Sequence, residues 1–132
     1  MTNSKLVQDY RKRARGRRKA IQILFDEGLF ADVLRECQEA CELALKSLIR
    51  EAGHSVPMLH DVSLKLSEIA SDLPLNIRQA LPRLIEISKQ LRRDRELAFY
   101  GSEDITPSEF YVEKDACKAM AELDEVLAVL PR

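Results

Sequence analysis

Residues 29–52 read LFADVLRECQEACELALKSLIREA. Phe30, Val33, Leu34, Cys37, Cys41, Ala44, Leu45, Leu48 and Ala52 recur at three- and four-residue spacing, which puts them on one continuous apolar face of a helix. Gly53 stops this helix, and Gly28 suits the C-cap of the helix before it. An apolar face this broad has to be covered by other elements, so the flanking segments decide the architecture.

Upstream, residues 3–26 carry Leu6, Tyr10, Ala14, Ile21, Leu24 and Phe25 at helical period. The centre of that segment is RKRARGRRK, residues 11–19, with seven cations in nine positions. Arg17 falls on the apolar stripe and Arg13 lies beside it. The spacing therefore predicts either a helix packed only at its two ends, or guanidinium groups that look into a polar groove. Gly16 weakens the helix by about 1 kcal/mol relative to Ala.

Downstream, Pro57 marks a loop, and a third helix is expected from His60 to about Ser71, with Leu64, Leu66 and Ile69 inward. Asp72-Leu73-Pro74 breaks the chain. A fourth helix follows over about 75–100, with Pro82 as a candidate interruption. Thr106-Pro107-Ser108-Glu109 has the capping-box pattern with Pro at the first helical position, so at least one turn starts there. The last helix spans about 113–130, with Ala116, Ala119, Met120, Leu123, Leu127 and Leu130 inward. No segment reads as a strand. The prediction is an all-α fold, an up-and-down antiparallel bundle of four to five helices, forming one domain over residues 1–132.

Composition narrows the class. Only four Gly and five Pro leave little material for hairpins. The length suffices for an apolar core without disulfide or metal support. No run approaches 18 apolar residues and the N-terminus is polar and basic, so neither a membrane span nor a signal peptide is expected. Cys37, Cys41 and Cys117 form no Cys-x-x-Cys pair, which reads as reduced, buried cysteines of a cytoplasmic protein. The net charge of −1 conceals a polarity. Residues 1–25 carry eight Lys/Arg against Asp9 alone, and the remainder carries 13 bases against 21 acids. A basic first helix of this kind steers anionic partners, unless neighbouring carboxylates neutralise it in the fold.

Several chemistries drop out. Glu51-Ala-Gly-His54 has the Glu-x-x-His spacing of bundle di-iron sites, but His60 is the only other histidine and no Glu stands three residues before it. No metal and no cofactor is expected. Gly101-Ser102 followed by Glu113-Lys-Asp115 mimics a nucleotidyltransferase signature, yet no strand is present to hold the carboxylates. Phosphate-binding P-loops and nucleophile elbows are absent from the sequence.

The candidate site lies in residues 89–111, KQLRRDRELAFYGSEDITPSEFY. At 100° per residue Ile87, Leu91 and Ala98 fall within about 60° of Leu84, and Arg95 within about 20°. Arg95 thus belongs to the inward stripe, whereas Arg93 points outward. An inward Arg meets a carboxylate such as Glu36 or Glu42, lines a polar cleft, or faces a second subunit. With Tyr100, Gly101 and Asp104 at the helix end, Arg95 makes a candidate anion pocket. Arg92, Tyr111 and His60 are further candidates, since Arg forks match phosphate and Tyr donates or stacks.

Four stretches together carry a family resemblance: residues 35–49, RECQEACELALKSLI; residues 59–62, LHDV; residues 92–101, RRDRELAFYG; and residues 107–111, PSEFY. In this order and spacing, over about residues 30–130, the chain resembles the HEPN domain proteins of bacteria and archaea. The resemblance implies a homodimer whose two fourth helices border a shared cleft. Many HEPN proteins are metal-independent ribonucleases, often toxins of toxin–antitoxin pairs beside a minimal nucleotidyltransferase. Their motif is Arg, four to six residues, then His, which implies that the Arg holds phosphate and the His moves the proton of the ribose 2′-OH. Here Arg95 matches the Arg and Tyr100 occupies the histidine position. A phenol of ordinary pKa, about 10, is a poor base at neutral pH. The resemblance therefore implies a dimer that binds RNA or a nucleotide without cutting it, alongside a nucleotidyltransferase-like partner. A toxin-type ribonuclease and a purely structural interaction module are the alternatives.

Overall fold

The computed structural model describes residues 4–56, 62–100 and 106–131, without the side chains of 97–100. The helices are α1 (Ser4–Asp26), α2 (Phe30–Glu51), α3 (Val62–Glu68), α4 (Leu75–Tyr100), α5 (Pro107–Phe110) and α6 (Glu113–Ala128), with a 3-10 turn at Ala70–Asp72. Among the described residues there is no strand, and the expected helical bundle is what forms. The start expected for the third helix, at His60 and Asp61, lies outside the described residues.

α2 is the central element, and α1, α4, α6 and the shorter helices α3 and α5 pack on it. Its stripe explains why. Val33, Leu34, Cys37, Cys41, Ala44, Leu45, Leu48 and Ile49 are all buried, on a face too wide for one neighbour to cover. Cross-helix pairs give the directions. Arg11 meets Glu51 and Arg17 meets Glu36, so α1 and α2 run antiparallel. Arg18 meets Asp124 and Arg15 reaches Pro131, so α6 opposes α1. Arg83 meets Glu125 while Asp94 meets Tyr111, so α4 opposes α6.

The expected stops are built by glycine. Gly28, at φ +76°, sends its N–H to the Phe25 carbonyl at 2.9 Å, and Leu29 reaches the Leu24 carbonyl at 2.9 Å. Gly53, at φ +86°, repeats the arrangement with Arg50, and His54 with Ile49. This paired closure needs a left-handed residue after the helix, which glycine adopts without steric cost. Thr106 caps α5 by accepting from the Glu109 N–H at 3.3 Å. α4 runs through Pro82 without a break. The ring is exposed, and the one backbone bond it removes is the one to the Arg78 carbonyl.

Three expectations change. The buried row of α1 is Val7, Arg11, Ala14 and Ile21, one position on from Leu6 and Tyr10, which are half-buried. Neither Arg13 nor Arg17 but Arg11 is therefore the inward cation, at 1% exposure. Its Nε donates to Ser47 Oγ at 3.0 Å, and its two Nη groups donate to the Glu51 carboxylate at 3.3 and 2.8 Å. In α3 the inward residues are Val62, Leu66 and Ile69, while Leu64 is exposed, because a two-turn helix offers only one i, i+4, i+7 row to the core. Of the cysteines, Cys37 and Cys41 are buried but Cys117 is exposed. Burial pushes the Cys37 thiol up to about 12 and the Cys41 thiol further still.

Among the described residues no helix is long and apolar enough to cross a membrane. Nor do the described residues group three metal-ligating side chains. Glu51 is engaged by Arg11, and His54 Nε2 lies 2.7 Å from Asp72 Oδ2, so the Glu-x-x-His pair is divided between two structural contacts.

Two outcomes follow from this packing. Glu51→Ala leaves a buried guanidinium without its carboxylate and costs about 3 kcal/mol. Arg11→Met costs less, because Glu51 is 44% exposed and can turn to water. Urea unfolding of both variants ranks them, and a larger loss for Arg11→Met contradicts the account. In the folded protein a thiol-specific alkylating reagent modifies Cys117 alone, as mass spectrometry of the intact chain reads. Cys37 and Cys41 react only after unfolding.

Candidate functional site

The inward row of α4 is Ile77, Leu81, Leu84, Ile87 and Leu91, all buried. One turn later on the same row stands Arg95. Its Nη2 lies 2.7 Å from Glu39 Oε1 on α2, in an ion pair whose side chains are 37% and 28% exposed. The carboxylate is Glu39 rather than Glu36 or Glu42. Glu36 faces α1 instead, where it accepts from Arg17 at 2.8 Å. The Arg95 Nε is buried and has no hydrogen-bond partner among the described residues. The guanidinium is thus held through one Nη at the rim of the core, on a side chain 37% exposed. Arg92 is half-buried, and Arg93 is exposed as its helical position predicts.

Tyr100 ends α4, but its side chain lies outside the described residues, as do Gly101, Asp104 and His60. Tyr111 is described, and it lies against α4 one residue before Arg95. Its ring is buried and packs edge-on against Phe110, and its hydroxyl donates to the Asp94 carbonyl at 2.9 Å. Burial, then the charges of Asp94 and Asp115, push the phenol up to about 12. It belongs to a cavity of about 240 Å³ between α4, α5 and α6, with Gln90, Asp94, Asp115, Lys118 and Glu122 in the wall. Three carboxylates and one lysine make this wall repel phosphate. Arg95 is not among the residues of that wall.

The basic centre of α1 is largely neutralised within the fold. Arg11 is matched by Glu51, Arg17 by Glu36 and Arg18 by Asp124 through two hydrogen bonds, and Arg13 lies 3.9 Å from Asp9. The bonds that Arg18 donates to Asp124 raise its pKa despite its partial burial. Two groups here were not identified from sequence. Glu39 could have been found from the antiparallel register of α2 against α4. Arg11 could have been found from Ser47 and Glu51, a hydroxyl and a carboxylate one turn apart on α2.

Glu122 carries a pH dependence. Its side chain is 8% exposed, and burial raises its pKa, against weaker lowering by Lys118 and Arg83, whose Nη2 is 3.9 Å away. A carboxyl whose folded pKa is raised favours the fold most when protonated, below its unfolded pKa, and that contribution is lost as pH rises through the folded value. Glu122→Gln is therefore more stable than the parent at pH 7. The difference closes below about pH 4, where the parent's Glu122 is also neutral in both states. Thermal melts across that range read it, and a parent more stable than the variant at pH 7 refutes it.

Searches of curated proteins and of solved structures found no match. The family model described as HEPN domain matches residues 7–132, so that all of α1 but its first three residues, every later helix and the α2–α4 ion pair fall inside it. The chain belongs to the HEPN domain family.

Proposed function

We propose that this HEPN domain is a homodimer that binds the phosphate of RNA or of a nucleotide at the end of α4 without cleaving it. Arg95 contacts the phosphate, Arg92 supports the charge of the cleft, and Tyr100 donates or stacks. Gly101, Asp104 and His60 complete the cleft, and a small nucleotidyltransferase-like protein is the expected partner. The observation that carries the reading is the placement of Arg95. It ends an apolar row, is anchored at one Nη to Glu39, and keeps its side chain 37% exposed. An ion pair this exposed exchanges partners at little cost, so a phosphate can take the fork from Glu39. Tyr111 is better assigned to packing, because its hydroxyl is already given to Asp94.

The Arg95–Glu39 pair also favours a second reading, in which the domain is an interaction module and Arg95 only fixes α4 against α2. The two differ in one experiment. Under the binding reading, Arg95→Ala weakens RNA binding about tenfold, which is about 1.4 kcal/mol, and lowers the salt slope by about one. Glu39→Gln frees the guanidinium and strengthens binding. Fluorescence anisotropy with a labelled oligoribonucleotide reads both. Under the module reading the parent does not bind RNA at all. The same RNA incubated with the domain in EDTA retains its length. Cyclic-phosphate ends produced under those conditions would put the ribonuclease reading first.

A further inference from the structure

Internal ion pairs leave one face of α1 unneutralised. Gln8, Lys12, Arg15, Gly16 and Lys19 follow one another at spacings of four, three, one and three residues, and line a groove of about 430 Å³ on the side of α1 away from its buried row. Lys12 and Lys19 are exposed and make no ion pair with any described residue. Arg15 Nη2 donates to the Pro131 carbonyl at 2.9 Å, a neutral acceptor that orients the guanidinium without cancelling its charge. No carboxylate lines the groove.

Gly16 lies in the floor of this groove, and nothing inside the chain requires a glycine there. The left-handed glycines are Gly28 and Gly53, so Gly16 keeps ordinary helical backbone. A Cβ added at Gly16 would meet no atom within 4 Å. A mid-helix glycine that serves neither backbone nor packing weakens α1 with no return inside the chain. Its missing side chain does serve an external strand that has to come close between flanking cations.

We infer that the Lys12–Arg15–Gly16–Lys19 face of α1 is a second RNA-binding surface, which takes the phosphodiester backbone of a strand without reading its bases. Lys12 and Lys19 are about 10 Å apart along the helix at 1.5 Å per residue, which spans more than one phosphate. The groove holds no aromatic residue on which a base could stack, so its contacts position a strand and do not specify it. α1 packs on α2 and α6, whereas Arg95 belongs to α4, so this surface is separate from the cleft at the end of α4. The inference rests on the reading of the domain as an RNA binder, but not on Arg95.

Anisotropy with a labelled homopolymeric RNA and a mixed-sequence RNA of equal length, over a range of salt, tests it. Lys12→Gln with Lys19→Gln lowers affinity at least tenfold for both RNAs and reduces the salt slope by about 0.7 per lysine. Lys114→Gln, on α6, has no such effect. Gly16→Leu raises the melting temperature while weakening RNA binding, a pair of opposite signs that mere damage to the fold does not produce. Loss on Arg95→Ala with none in the lysine pair overturns the α1 surface and leaves the α4 cleft standing. The converse overturns the cleft and keeps the surface. A parent that binds neither RNA overturns both, and equal affinity for polyglutamate overturns the assignment to RNA.

Discussion

The docking of α1 on α2 depends on a buried guanidinium finding its carboxylate. Arg11 occupies a core position of a helix whose neighbouring positions are Val7 and Ala14, and it is almost wholly removed from water. Desolvating that charge is costly, and the cost is offset only where Glu51 meets it end-on and Ser47 takes the third donor. Ser47 in turn donates to the Ala44 carbonyl at 2.6 Å, so its hydroxyl is fixed as the acceptor for Arg11. Sliding α1 by one turn would leave the guanidinium among Ala44, Leu45 and Leu48. The ion pair therefore sets the register between the two longest-packed helices, and α6 then aligns through Arg18 and Asp124.

Arg95 obeys the same rule under different conditions. It too continues an apolar row and is met by an α2 carboxylate, at a comparable 2.7 Å. The difference is water. Arg11 has no access to solvent and cannot change partner without exposing the core. Arg95 is more than a third exposed, in a setting where ion pairs contribute little net stability and are easily exchanged. One arginine is built into the packing, and the other is only parked on it. That contrast separates a cation fixed inside the core from one held at its rim.

The helix limits were legible because local chemistry marks them. Gly28, Gly53, Pro74 and Thr106-Pro107 each act within a few residues, and the helices end or begin beside them. The core face of α2 was legible for the same reason, since nine apolar residues agree on one direction. In α1 the apolar residues were few and straddled two adjacent rows, Leu6–Tyr10 and Val7–Ala14. Choosing between those rows needs the partner on α2, which periodicity does not contain. Glu39 was missed on similar grounds. Glu36, Glu39 and Glu42 fan out by about 60° from one to the next around α2, and the packing of the neighbouring helices directs Glu36 to α1 and Glu39 to α4. Tyr111 follows the short turn of α5, which brings its hydroxyl to the Asp94 carbonyl, a contact that spacing along the chain does not contain.

Charge is where sequence counting and folded surface diverge most. A segment with seven cations in nine positions reads as a strong positive patch. Four of them are spent on carboxylates of α1, α2 and α6, and what remains positive is a single narrow face. Three acids, Asp94, Asp115 and Glu122, gather instead in the wall of the cavity between α4, α5 and α6. A polyanion approaching the domain is attracted to one side of α1 and repelled from the α4–α6 cavity, although the whole chain is nearly neutral. Orientation on such a partner would come from this internal sorting of ion pairs, which exists only once α1 is docked through Arg11.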